Sequence, residues 1–226
     1  MNKYLAEFIG TFFLVLTIGC TVIVHGAGPF APLAIGAALM VMIFAGGHIS
    51  GGHFNPAVTL GVWLGGKCET RDVAPYMTFQ IMGGVLAALV VKFLKGGGAV
   101  APLHPATVPA FLAEFLFTFA LVYVVLNVAT AKDTSGNSFY GLAIGSTVLV
   151  GAFSVGNISG GAFNPAVAAG ISVMGLSSWP NIWIYLLAEF AGGAVAAGAF
   201  KALSPADREN VHRPDSTDQP REREAA

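Results

Sequence analysis

The chain has 226 residues, of which 55% are hydrophobic and only 10% charged, and its mean hydropathy is +0.71. A soluble domain carries about 25% charged residues, so a chain of this composition cannot cover a globule with charge and must face lipid. The charges are also uneven: ten of the 23 lie after Ala202, and the net charge of −1 comes without a basic patch for nucleic acid.

The elements, in chain order, begin with the apolar stretch 4–25. A helix needs about 20 mostly apolar residues to cross the hydrocarbon core. Within this stretch Leu16, Thr17, Ile18, Gly19 and Cys20 faintly suggest a lipoprotein cleavage box. Glu7 inside the would-be leader and Thr17 at the wrong position argue instead for a retained helix over 4–24. The second apolar stretch, 32–48, looks short and runs into a glycine-rich break, His48 to Phe54. Asn55, Pro56 and Ala57 follow, then a brief apolar piece, 58–64, too short to span. Cys68 sits between Lys67 and Glu69 and, like Cys20, reads as an unpaired thiol, with no metal or disulfide spacing.

Full-length stretches follow at 73–94 and 109–131, then a short one at 140–155. The latter runs into a second break, Asn157 to Phe163, and into Asn164, Pro165 and Ala166 with the apolar piece 167–174. The last span is 182–203. Beyond it, 204–226 is rich in Pro, Asp, Arg and Glu and is expected to be a disordered cytoplasmic tail.

Six spans place both termini on one side of the membrane. With the termini in the cytoplasm, Lys3, Lys67, Arg71, Lys132, Lys201, Arg208, Arg213, Arg221 and Arg223 face inward and only Lys92 and Lys95 face outward. That matches the positive-inside rule.

The chain is one module written twice. Subtracting 109 carries Asn164 onto Asn55, Asn157 onto His48, Gly160 and Gly161 onto Gly51 and Gly52, Tyr185 onto Tyr76, and Gly192 and Gly193 onto Gly83 and Gly84. Leu5, Glu7 and Phe8 correspond to Leu112, Glu114 and Phe115 at an offset of 107. With three spans per half the second half is inverted. Broken helices at matching places of inverted halves point to a functional site near the bilayer midplane, where irregular backbone survives only if buried in protein or lining a wet cavity.

Proline is favoured at the first helical position, and asparagine is among the best N-caps. Asn55–Pro56 and Asn164–Pro165 therefore read as starts of half-helices whose N-termini meet at mid-membrane. Each end carries roughly half a positive charge from its macrodipole, and each asparagine offers NH₂ donors. A water between them accepts two hydrogen bonds and has its own hydrogens turned outward. That breaks a proton wire, while the positive ends repel cations. The glycine pairs allow the tight backbone that aims carbonyls into such a pore.

With these residues in place the sequence resembles the aquaporin, or major intrinsic protein, family over 4–203. The run from Gly47 to Gly61 is similar almost letter for letter to the first-half loop of bacterial water channels. The resemblance implies an all-α membrane protein with an aquaporin-like fold: a right-handed bundle of six transmembrane helices plus two re-entrant half-helices in an inverted repeat, assembled as a homotetramer in the lipid bilayer. The channel domain would be 1–203, with halves of about 1–100 and 108–203. Glu7, Glu114 and Glu189 are acids inside the membrane and must be paired or cavity-facing. The family implies that Glu7 and Glu114 hold the re-entrant loops and that His48 lines the pore.

The family's usual arginine after the second Asn-Pro-Ala is Val167 here. By spacing from the two boxes, the other filter positions are Ile35, Ala152 and Gly161. The ring is small, apolar and uncharged. The expected function is a passive channel for water and also small neutral solutes such as glycerol, urea, ammonia or metalloid acids. Ala168, where glycerol facilitators have aspartate, and Tyr185, an aromatic of water channels, argue against glycerol specialisation. A secondary transporter or a structural protein with a closed pore are the alternatives. No catalytic group, metal ligand set or cofactor motif emerges.

Overall fold

The computed structural model describes residues 1–24, 26–96, 100–204 and 207. Eight α-helices account for most of them: α1 (Asn2–Val22), α2 (Ala31–Ser50), α3 (Pro56–Leu64), α4 (Thr70–Leu94), α5 (Thr107–Val125), α6 (Tyr140–Ser159), α7 (Pro165–Met174) and α8 (Ile182–Leu203). A π-helical turn, Leu126–Thr130, prolongs α5. Six of the helical segments are long and apolar enough to cross a membrane. Helices α3 and α7, of 9 and 10 residues, are half that length.

Helices α2 and α6 are not short. Each has 20 residues and runs past the expected ends at 48 and 155, as far as Ser50 and Ser159. They stop where Gly51 and Gly160 turn left-handed, at φ 90° and 96°, a conformation that glycine adopts without steric cost.

The packing repeats between the halves. Helix α1 lies along α4 as α5 lies along α8, α1 touches α2 as α5 touches α6, and α2 meets α6. The half-helices pack chiefly across the halves: α3 rests on α8, and α7 on α4. Adjacent glycines make these contacts possible. A Cβ on Gly83 would fall 2.5 Å from the carbonyl oxygen of Phe8 and one on Gly192 2.5 Å from that of Phe115. A Cβ on Gly84 would meet Ala166 O at 2.7 Å, and one on Gly193 would meet Ala57 O at 2.7 Å. In lipid there is no hydrophobic drive between helices, so such close backbone approach through small residues is what holds the bundle.

The expected tail falls largely outside the described residues. Asp207, read from composition as solvated, is buried, and its carboxylate accepts from Lys67 Nζ at 2.6 Å. Lys3 pairs with Asp72 at 2.5 Å. These two ion pairs gather the N-terminus, the α3–α4 junction and the C-terminal end of α8 at one end of the bundle. Lys95 lies at the other end, donating to Val24 O at 3.2 Å.

Candidate functional site

The two breaks are built alike. After the left-handed Gly51 and Gly160, the next glycines also take positive φ, 64° at Gly52 and 66° at Gly161. Phe54 and Phe163 do the same, at 49° and 50°, which costs a side-chain-bearing residue about 1 kcal/mol. Something must hold them there, and in each loop it is a buried carboxylate. Glu7 Oε1 accepts from Ser50 Oγ at 2.6 Å and from the His53 N–H at 3.0 Å, while Oε2 accepts from the Phe54 N–H at 2.6 Å. Glu114 accepts from the Ala162 N–H at 3.0 Å and the Phe163 N–H at 2.7 Å. Both acids are fully buried, so these charge-assisted bonds are what make their burial tolerable.

Further tethers recur at the 109-residue offset. The Tyr76 hydroxyl donates to Ser50 O at 2.7 Å, and the Tyr185 hydroxyl to Ser159 O at 2.6 Å. Gln80, in α4, donates to Glu7 Oε2 at 2.7 Å and to Thr59 Oγ1 at 2.9 Å.

Held in this way, each loop delivers an asparagine to the N-cap of a half-helix. Asn55 Oδ1 accepts from the N–H groups of Ala57 and Val58, at 2.8 and 3.3 Å, and Asn164 Oδ1 from that of Ala166 at 2.9 Å. The caps fix which way each amide points. Asn55 Nδ2 donates across to Phe163 O at 2.8 Å, and Asn164 Nδ2 donates back to Phe54 O at 2.9 Å. An NH₂ group has two hydrogens, so each asparagine keeps one donor beyond this clasp. Pro56 and Pro165 open the half-helices behind the caps, and both are buried.

Three cavities run through this centre. The first, about 500 Å³, is lined by Ile35, Ala152, Gly161 and Val167 together with Ile18, Leu103, His104 and Tyr185. The second, only about 20 Å³, holds Asn55 and Asn164 and shares Ile18, Ile35, Gly161 and Val167 with the first. The third, about 450 Å³, shares His53 and Val125 with the second and reaches Lys67, Asp72 and Tyr76. Around 10–15 Å³ admits one water, so the middle space is of single-file size. Its walls are otherwise mostly apolar: Leu14, Leu39, Val58, Leu121, Ile144 and Val148. Ile35, Ala152, Gly161 and Val167 thus come together on one cavity, with Ile35 and Val167 buried.

His48 does not reach the narrow part. It lies exposed in the last turn of α2, on a further wide cavity of about 480 Å³ formed with Lys132, Asn137 and Tyr140. The histidine next to the asparagines is His53, buried, with Nδ1 3.1 Å from Thr59 Oγ1. The reason is the left-handed turn at Gly51 and Gly52. It sends the chain inward only after His48 has passed. Outside the spans, partial burial pushes the Cys68 thiol up to about 11, and the Lys67 ammonium holds the Asp207 carboxyl below its usual range.

The family profile described as Major intrinsic protein matches residues 1–200. The chain belongs to that family. Among relatives of this major intrinsic protein, Aquaporin NIP1-4 of Oryza sativa subsp. japonica is 37% identical over 214 residues, covering 90% of this chain and 77% of its own length. Glycerol uptake facilitator protein-like 6 of Lactiplantibacillus plantarum is 38% identical over 217 residues, covering 92% of this chain and all of its own. The aquaglyceroporin structure from Plasmodium falciparum superposes with a TM-score of 0.76 at 22% identity, over 91% of this chain and 98% of that one, and shows the same fold.

Four residues of the site were not given these places by sequence reasoning: His53, Gln80, Tyr76 and the tethering hydroxyl of Tyr185. The signal for the tyrosines was present in the 109-residue alignment, which pairs them. For Gln80 it lay in a polar residue within an apolar span.

Proposed function

We propose that this multi-pass membrane protein is a passive channel for water and other small neutral solutes, of the size of glycerol, urea, ammonia or undissociated metalloid acids, and that it excludes protons and ions. The observation that carries the reading is the middle cavity. Two asparagine donors and two half-helix N-termini face a space of about 20 Å³, with a wide cavity on either side. Among the described residues lining it, His53 alone is titratable. A water passing there takes its hydrogen bonds from fixed donors, and a cation meets the positive ends of two helices. Coupled transport normally needs ionisable groups at this depth, so the set favours a channel.

In this reading Asn55, Pro56, Ala57, Asn164, Pro165 and Ala166 form the proton barrier. Ile35, Ala152, Gly161 and Val167 form the outer filter, and Glu7 and Glu114 are loop supports. The apolar, uncharged ring is the ground for passing solutes larger than water. The channel domain is 1–203, with halves of about 1–100 and 108–203. The termini lie in the cytoplasm, supported by the clustering of Lys3, Lys67, Arg71 and Lys132. The assembly is a homotetramer, by likeness to the family. Stopped-flow swelling of proteoliposomes tests the function. Water, glycerol and urea should all enter faster than into empty liposomes, without saturation and without response to a proton gradient. Water-only permeation would remove the wide-filter reading, and gradient-driven flux would remove the channel.

A further inference from the structure

The two halves hold their loops with different chemistry. In the first half the amide of Gln80 donates to Glu7 and to Thr59. A carboxylate accepts hydrogen bonds and cannot give one, so an amide is the natural partner. The residue 109 positions further on is Glu189, and where the first half has Thr59 the second has Ala168.

Glu189 is fully buried in α8. Helix α8 lies along α5 as α4 lies along α1, so Glu189 takes beside Glu114 the place that Gln80 holds beside Glu7. As a carboxylate, neither of its oxygens has a donor among the described residues. Two ionised carboxyls side by side in a dry site pay desolvation twice and repel each other. A single proton removes both problems, because a protonated carboxyl has one O–H to give.

We propose that Glu189 is held as the neutral acid and donates its O–H to Glu114, so that a stored proton does in the second loop what the Gln80 amide does in the first. The charge belongs on Glu114 because it already accepts from two main-chain N–H groups, at 3.0 and 2.7 Å. Glu189 is therefore a positioning residue. It steadies the carboxylate that holds Phe163 in its left-handed conformation, and through it the Asn164 cap. Nothing in this depends on which solute crosses, and neither readout below involves flux.

The test is infrared spectroscopy of the full-length protein in lipid at pH 7, where exposed carboxyls are ionised, combined with thermal melting. The wild type shows the carbonyl-stretch band of a buried carboxylic acid, and Glu189→Gln loses it. Glu189→Gln, which keeps shape and donor, melts with the wild type, whereas Glu189→Leu melts well below. Either of two results overturns the proposal: no acid band separating the wild type from Glu189→Gln, or a fall in melting temperature for Glu189→Gln as large as for Glu189→Leu.

Discussion

The amide of Asn164 donates to the carbonyl oxygen of Phe54 at 2.9 Å, across the line that divides the two halves of the chain. Asn55 makes the reciprocal bond to Phe163. Each asparagine thus caps its own half-helix with its oxygen and ties down the opposite loop with its nitrogen. Neither loop can relax alone. The carbonyls that the left-handed Phe54 and Phe163 present are the ones the clasp consumes.

This double duty makes Asn55→Ala costlier than the loss of a cap. Removing an N-cap costs about 1 kcal/mol, and a buried carbonyl left without a donor costs about 1–3 kcal/mol more. Asn55→Ala and Asn164→Ala should each lower the melting temperature in detergent. Because the two loops share the clasp, the double variant should lose less than the two single losses added together. Strict additivity would show that the loops are energetically separate.

The glycine contacts give a sharper prediction. Gly193→Ala places a methyl 2.7 Å from Ala57 O, and Gly84→Ala places one 2.7 Å from Ala166 O. A half-helix must shift in each case, and overpacking of this kind costs about 1–3 kcal/mol. Both variants should melt lower and conduct less water in liposomes. Gly198→Ala is the control: it lies in the same helix as Gly193 with nothing within 4 Å of its added Cβ, and alanine is about 1 kcal/mol better than glycine in a helix interior. It should melt no lower than the wild type.

What could be read before the structure follows the range of the interactions involved. Length and apolarity mark the six spans, because lipid imposes both. The Asn-Pro starts mark α3 and α7, because capping is local. That Ile35, Ala152, Gly161 and Val167 line one cavity was reachable by counting from the two boxes, since short rigid segments preserve spacing. His48 and His53 show where likeness to the family stops. They sit on either side of a left-handed turn, and only the turn's geometry decides which of them enters the narrow part. The burial of Asp207 was also out of reach. Its partner Lys67 is 140 residues away, and composition speaks only of solvation.

That ion pair has a pH signature. Lys67 holds the Asp207 carboxyl below its ordinary value. A carboxyl with a depressed folded-state value contributes stability above its unfolded value, near about 3.9, and loses it as pH falls through the folded one. The melting temperature of the wild type should therefore drop more steeply than that of Asp207→Asn between about pH 5 and pH 2. The two should differ by a constant amount above that window. Parallel curves throughout would mean that the pair contributes nothing to the folded state.

Val167→Arg tests the filter assignment directly. Val167 borders both the 500 Å³ cavity and the 20 Å³ space between the asparagines, so any side chain there meets everything that passes. Arginine brings five N–H donors and a permanent charge and fills space that the small apolar ring leaves open. Each 1.4 kcal/mol added to the crossing barrier slows flux about tenfold. Glycerol and urea must shed water and fit past the guanidinium, so their flux should fall by about that factor. Water is smaller and can exchange hydrogen bonds with the new donors, so it should fall less. Val167→Leu, bulkier but neutral, should lie between the two. A solute-to-water ratio unchanged in Val167→Arg, with the variant melting normally, would place the selective constriction elsewhere along the path.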